Sequence, residues 1–109
     1  MSAATYWQRG ESIDYPNETE EIIEAGTILK LGDIVGIAGE EIAAGETGSA
    51  HIEGVFKVAK AAEAFTIGQD VYLVSDEASG TEGEGDDDVR LGRAVAAAAA
   101  DDAEVLVKI

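Results

Sequence analysis

His51-Ile52-Glu53 and the run from Asp76 to Asp88 are where residue type and spacing come closest to chemistry. On a strand, His51 and Glu53 stand two residues apart and share a face, which is the beginning of a metal pair. No third ligand can be named beside them. His-x-Glu is also a fragment of the zinc deaminase signature, but that site needs cysteine ligands and the chain has no cysteine. The same absence rules out thiolate zinc sites, cysteine nucleophiles and a disulfide framework. The plainer reading of this pair is a polar outer strand face, with the charges of Glu53 and Lys57 in water.

The run DEASGTEGEGDDD offers carboxylates of the kind that hold a hard cation such as calcium. It lacks the alternating acids and downstream glutamate of an EF-hand loop, so a solvated hairpin tip explains it better. Gly83-x-Gly85 is flanked by acids that would repel phosphate, and no glycine-rich loop ends in Gly-Lys-Ser or Gly-Lys-Thr. Asn17-Glu18-Thr19 is a formal glycosylation sequon, read as chance in a chain without secretory features. No catalytic residue, cofactor or metal site is expected.

Charge narrows the function classes further. Twenty-three acids against seven bases give a net charge of −16 over 109 residues. Neutralising a phosphate backbone needs a basic surface, so nucleic acid is not an expected partner. Anionic membranes are disfavoured on the same ground. Solubility accounts for the acidity, and so does a high-salt setting in which screening relieves self-repulsion. No apolar run approaches the roughly 20 residues that span a bilayer. The start, MSAATYWQRGES, lacks the basic and apolar regions of a signal peptide. The chain is expected to be made in a cytoplasm and to form one domain with a single core.

The elements that would position these residues read as strand and turn. Ile42 to Lys60 is the longest alternating stretch, with Ala50, Ile52, Gly54, Phe56 and Val58 on one face and His51, Glu53, Val55 and Lys57 on the other. Further strands are expected over 27–31, 34–38, 69–75, 89–96 and 103–109, with residues 76–88 as a polar loop. Ala94 to Ala100 is helical by propensity, but Asp101 and Asp102 would sit at the negative end of its dipole. A strand of small side chains is therefore expected there. Ile23, Ile42 and Phe65 each stand three residues before a glycine, at Gly26, Gly45 and Gly68, and each precedes a strand. Together with Gly92, these are expected to be structural turn glycines, because glycine takes positive φ without penalty. The result is an all-β fold, a small barrel or sandwich.

Residues 1–25 differ from the β domain expected over 26–109. Asn17 followed by Glu20 is a possible capping box, but a helix so short is marginal. An extended N-terminal arm with at most one helical turn is expected, and residues 4–8 could form a short strand. Three of the six aromatic residues, Tyr6, Trp7 and Tyr15, lie in it. They either cover one edge of the core or anchor the arm on a partner, as Trp and Tyr often do at interfaces.

The order of segments resembles a family of small tailed-phage proteins. The matching pieces begin with Gly10-x-x-Ile13-Asp14-Tyr15, Ala25-Gly26-Thr27, and Leu31-Gly32-Asp33-Ile34-Val35-Gly36-Ile37-Ala38. They continue through Ile42 to Gly48, Gly54 to Lys60, Gly68-Gln69-Asp70-Val71-Tyr72, Leu91-Gly92-Arg93-Ala94-Val95, and the terminal Val105 to Ile109. Members often carry a recombinase label, which the missing P-loop and basic face contradict. The resemblance implies a capsid decoration, or cementing, protein with a β-tulip-like barrel and an extended arm. Such proteins sit on the outside of an icosahedral head, commonly as homotrimers at local three-fold positions, bracing the major capsid protein. On this reading Tyr6, Trp7, Ile13 and Tyr15 are the expected capsid contacts, and the partners are the major capsid protein and other copies of the chain. A head-fibre-like module that recognises a glycan or host surface is the alternative.

Overall fold

The computed structural model describes residues 3–83, 85 and 88–109. Nine strands run in order, and no helix occurs among the described residues. They are β1 (Ser12–Pro16), β2 (Ile28–Leu31), β3 (Ile34–Ala38), β4 (Thr47–His51), β5 (Val55–Ala59), β6 (Asp70–Val74), β7 (Glu77–Ser79), β8 (Val89–Ala94) and β9 (Glu104–Lys108). They form two antiparallel sheets, one ordered β1-β4-β3-β2 and the other β5-β9-β8-β6-β7. The arrangement is sandwich-like, with no closed barrel.

The main core lies between the sheets. Val35 of β3, with Ile28 beside it, meets Val58, Val71, Leu91, Val105 and Val107 from the second sheet and Phe65 from the connection before β6. Period-two alternation is why β6 and β9 bury every second residue: Val71 and Leu73 on one, Val105 and Val107 on the other. A second cluster covers the opposite face of the first sheet. Ile13, Ala50 and Ala38 form one row across β1, β4 and β3, with Leu29, Leu31, Tyr15 and Ile23 around them.

A repeated turn organises both sheets. Thr27, Glu46, Gln69 and Asp102 each donate their N–H to the carbonyl three residues back, at 3.0–3.2 Å. In three of these turns a glycine fills the third position, with φ of 87° at Gly26, 79° at Gly45 and 85° at Gly68, as a type II turn requires. The fourth has Asp101 there at negative φ, and the Asp102 carboxylate accepts from the Ala99 N–H at 2.8 Å instead. The apolar residues heading the turns pair off as bridges, Ile23 with Ile42 and Phe65 with Ala98. Gly26 N–H donates to Ala38 and Ala38 N–H to Thr27; Gly68 N–H donates to Ala94 and Ala94 N–H to Gln69. The chain therefore contains one strand-and-turn module twice.

Several expectations are corrected. Ile42 to Lys60 is two strands in different sheets, because Gly54, at φ 137°, redirects the chain between β4 and β5. Gly92 is no turn residue; it lies inside β8, where an added Cβ would fall 2.0 Å from the Lys108 carbonyl oxygen of β9. Beyond Ala94 the alanine run is neither strand nor helix: it bends, makes the single bridge at Ala98 and enters the fourth turn. The presumed loop begins with β7, whose Ala78 is fully buried. Gly83-x-Gly85 and the acidic triplet at 86–88 lie partly outside the described residues.

Strands β6 and β7 are joined by Ser75 and Asp76 alone, at φ 52° and 65°. Two consecutive left-handed residues make a type I′ hairpin, a turn whose favoured pair is Asn-Gly. Replacing Ser75-Asp76 by Asn-Gly should therefore stabilise the protein by about 0.5–1 kcal/mol. A thermal melt checks this, and an unchanged or lower Tm would contradict it.

Candidate functional site

Residues 3–11 run without strand or helix and lie exposed. Tyr6 and Trp7, at 81% and 88% exposure, extend into solvent. Arg9 holds Glu11 at 2.8 Å, and the Gln8 amide donates to the Ser12 carbonyl. From Ser12 the chain is no longer an arm. Strand β1 pairs with β4 over its whole length, from Ser12 opposite His51 to Pro16 opposite Thr47. Pro16 is accommodated because β1 is an edge strand and needs no N–H there.

The four expected contact residues thus divide into two pairs. Tyr6 and Trp7 are free of the body. Ile13 and Tyr15 are half-buried on the second cluster, where Tyr15 lies opposite Gly48.

Residues 17–25 are also tied down. Asn17, 1% exposed, receives the Thr19 N–H and hydroxyl at its Oδ1 and donates from Nδ2 to the carbonyls of Glu21 and Ile42. Its backbone pairs with Gly45 and Glu46. In place of the possible capping box there is an Asx-type turn, and a glycan on Asn17 would have no room in the fold. Glu18, Glu20, Glu21 and Glu24 remain exposed around Ile22.

Lys60 plays the corresponding part in the second module. It is 6% exposed, and its ammonium donates to the carbonyls of Ala61, Glu63 and Ala100 at 3.0, 2.7 and 3.2 Å. The ammonium also stands 5.8 Å from the centre of the Phe65 ring. The sequence did not mark either residue as a buried donor, since each also serves one carbonyl that only the fold brings near, Ile42 for Asn17 and Ala100 for Lys60.

His51 and Glu53 do not form a pair on one strand. His51 ends β4 and rests against Phe56, with ring centres 6.0 Å apart, while Glu53 lies in the bend that follows. Among the described residues, no group of three or more histidine and carboxylate side chains is gathered as a metal site would require.

A surface groove of about 400 Å³ lies on the second sheet. Ile67, Gly68, Gly92, Ala94, Val95 and Ile109 make its apolar part, and Arg90, Arg93 and Lys108 supply charge. Arg90 bonds Asp70 at 3.0 Å and Arg93 stands 3.7 Å from the same carboxylate. The hydrogen bond from Arg90 is the main cause holding the Asp70 carboxyl below the usual range; burial opposes it and the Arg93 charge adds to it. No constellation of nucleophile, base and oxyanion donors occurs here. The exposed features of the surface are the segment bearing Tyr6 and Trp7 and this basic, apolar-lined groove.

The described residues thus form an all-β body of two antiparallel sheets, preceded by an exposed segment that carries Tyr6 and Trp7. The phage cement protein model matches residues 7–109, and the chain belongs to that family. Membership gives it a structural role associated with a phage capsid. No curated protein and no solved structure matches the chain.

Proposed function

We propose that this protein binds the outside of an icosahedral phage head as a homotrimer at local three-fold positions, bracing contacts between major capsid proteins. The observation that carries this reading is the family match over nearly the whole chain. The arm supports it: two large aromatic side chains held in water are costly unless a partner covers them, and such residues dominate interface energetics. Residues 3–11 are the capsid-binding arm, with Tyr6 and Trp7 as its anchors. Ile13 and Tyr15 act from within the sheet, fixing where the arm leaves the body.

An arm that orders on the capsid could add a strand to an exposed sheet edge, its main-chain hydrogen bonds supplying affinity. Three arms on one trimer then act together, so modest single contacts give tight attachment. No chemistry is needed for this. Synthesis in the host cytoplasm followed by attachment to the outer shell fits the same reading.

The test is binding to expanded heads that lack the protein, measured by co-sedimentation. Replacing Tyr6 and Trp7 together by alanine should weaken binding by about 100-fold or more. The melting curve should not move, because neither side chain packs on the body. Deletion of residues 2–11 should do the same, whereas a cut beyond Ser12 would remove β1 and damage the fold. Undiminished binding by the double variant would refute the arm assignment, and cryo-microscopy of the particle would show whether density lies at the three-fold positions.

A further inference from the structure

We propose that the groove on the second sheet receives the acidic loop of a second copy, residues 18–24, so that copies join head to tail. This rests on the homotrimer reading proposed above, and it names the two surfaces that meet.

Two copies of a −16 chain repel one another unless they meet where the charge is reversed. Three of the seven basic residues, Arg90, Arg93 and Lys108, line this single groove. Asp70 offsets one of them and leaves an excess of positive charge. Between these residues the surface is apolar. Ile67, at the second position of a type II turn, is 73% exposed at the edge. Gly68 carries no side chain, and an added Cβ there would meet nothing within 4 Å, which leaves the space open.

The loop at 18–24 has the complementary make-up. Glu18, Glu20, Glu21 and Glu24 surround the exposed Ile22. Its shape is set in advance by the Asn17 bonds to Thr19 and Glu21 and by the bridge from Ile23 to Ile42. A preformed loop loses little freedom on binding. Ile22 would enter the apolar part beside Ile67 and Val95 while its glutamates meet the arginines and Lys108. Because the two patches differ, the contact is heterologous, and it forms a closed ring when the rotation between copies closes.

The experiment is light scattering and sedimentation equilibrium on the full chain. Arg93→Glu with Lys108→Glu should raise the dissociation constant of self-association by about tenfold or more, and so should Glu20→Lys with Glu21→Lys. All four changes in one chain should restore association. Ile67→Ser, which alters no charge, should weaken it as well. Circular dichroism of each variant shows that the fold is kept. A monomeric parent protein, variants that associate like the parent, or a four-fold variant that fails to recover would each overturn the proposal. A groove variant that still associates but loses heads would mean that the capsid occupies the groove, which also overturns it. Loss of head binding by the parent itself would instead refute the cementing role and leave the contact between copies standing.

Discussion

Gly92→Ala is expected to destabilise the protein by about 3 kcal/mol or more, which is beyond the usual cost of overpacking. The added Cβ would lie 2.0 Å from the Lys108 carbonyl oxygen, 2.8 Å from its carbon and 3.1 Å from the Ile109 Cα. All three are main-chain atoms of the neighbouring strand end, so no rotamer change can relieve the contact. Strands β8 and β9 would have to part where Arg93 faces Lys108 and Ala94 faces Val107. The Ile109 N–H bond to the Gly54 carbonyl, which ties the chain end to β5, lies in the same place.

For a domain of this size the loss corresponds to a fall in Tm of about 12 °C or more. Gly26→Ala provides the contrast, since its Cβ would meet nothing within 4 Å and only the positive φ of 87° opposes it. That change should cost about 1–2 kcal/mol. Melting both variants separates close approach from backbone conformation as the reason for glycine. Equal losses, or a Gly92→Ala protein that melts with the parent, would refute the assignment.

Gly92 also shows where the sequence is legible and where it is not. A glycine flanked by Leu91 and Arg93 reads equally as a turn or as a strand position against which another backbone closes. Only the β9 partner, supplied by tertiary pairing, decides between them. The alternation of β5 and β6 is visible because period two is a local property, and the all-β class follows from it. Three of the four turns were visible through Gly26, Gly45 and Gly68. The fourth, at Ala98 to Asp102, was hidden because it has neither glycine nor a bulky apolar residue at its head.

The expected arm over residues 1–25 ends at Ser12 in the structure, for a related reason. Ser12 to Pro16 alternates well, but it is short and acidic around it, and nothing local says that β4 lies beside it. Of the candidate site, Tyr6 and Trp7 were legible as large aromatics in a polar segment. The groove was not, since Ile67, Arg90, Arg93 and Lys108 come together only when β8 and β9 pair and the Gly68 turn packs beside them.

Lys60→Met should be the other severe change. The substitution keeps the length of the stem and its packing near Phe65 but removes the ammonium. The carbonyls of Ala61, Glu63 and Ala100 then lose their donor in a place that water reaches poorly. Leaving such groups unpaired costs about 1–3 kcal/mol each when burial is complete. These bonds are only partly buried, and methionine no longer needs an ammonium to be desolvated. The net expectation is a loss of about 2–4 kcal/mol.

Its location distinguishes it from a general weakening. Lys60 joins the segment before Phe65 to the turn after Ala98, across forty positions of sequence, as Asn17 joins its own loop to Ile42 across twenty-five. Each module is thus sealed by one buried donor. Amide hydrogen exchange should show Phe65 and Ala98, whose N–H groups bond each other's carbonyls, losing protection far more than Ile23 and Ile42 in the Lys60→Met protein. Asn17→Ala should reverse that pattern. Uniform loss of protection in both variants would mean that the two modules open together and that the donors do not seal them separately.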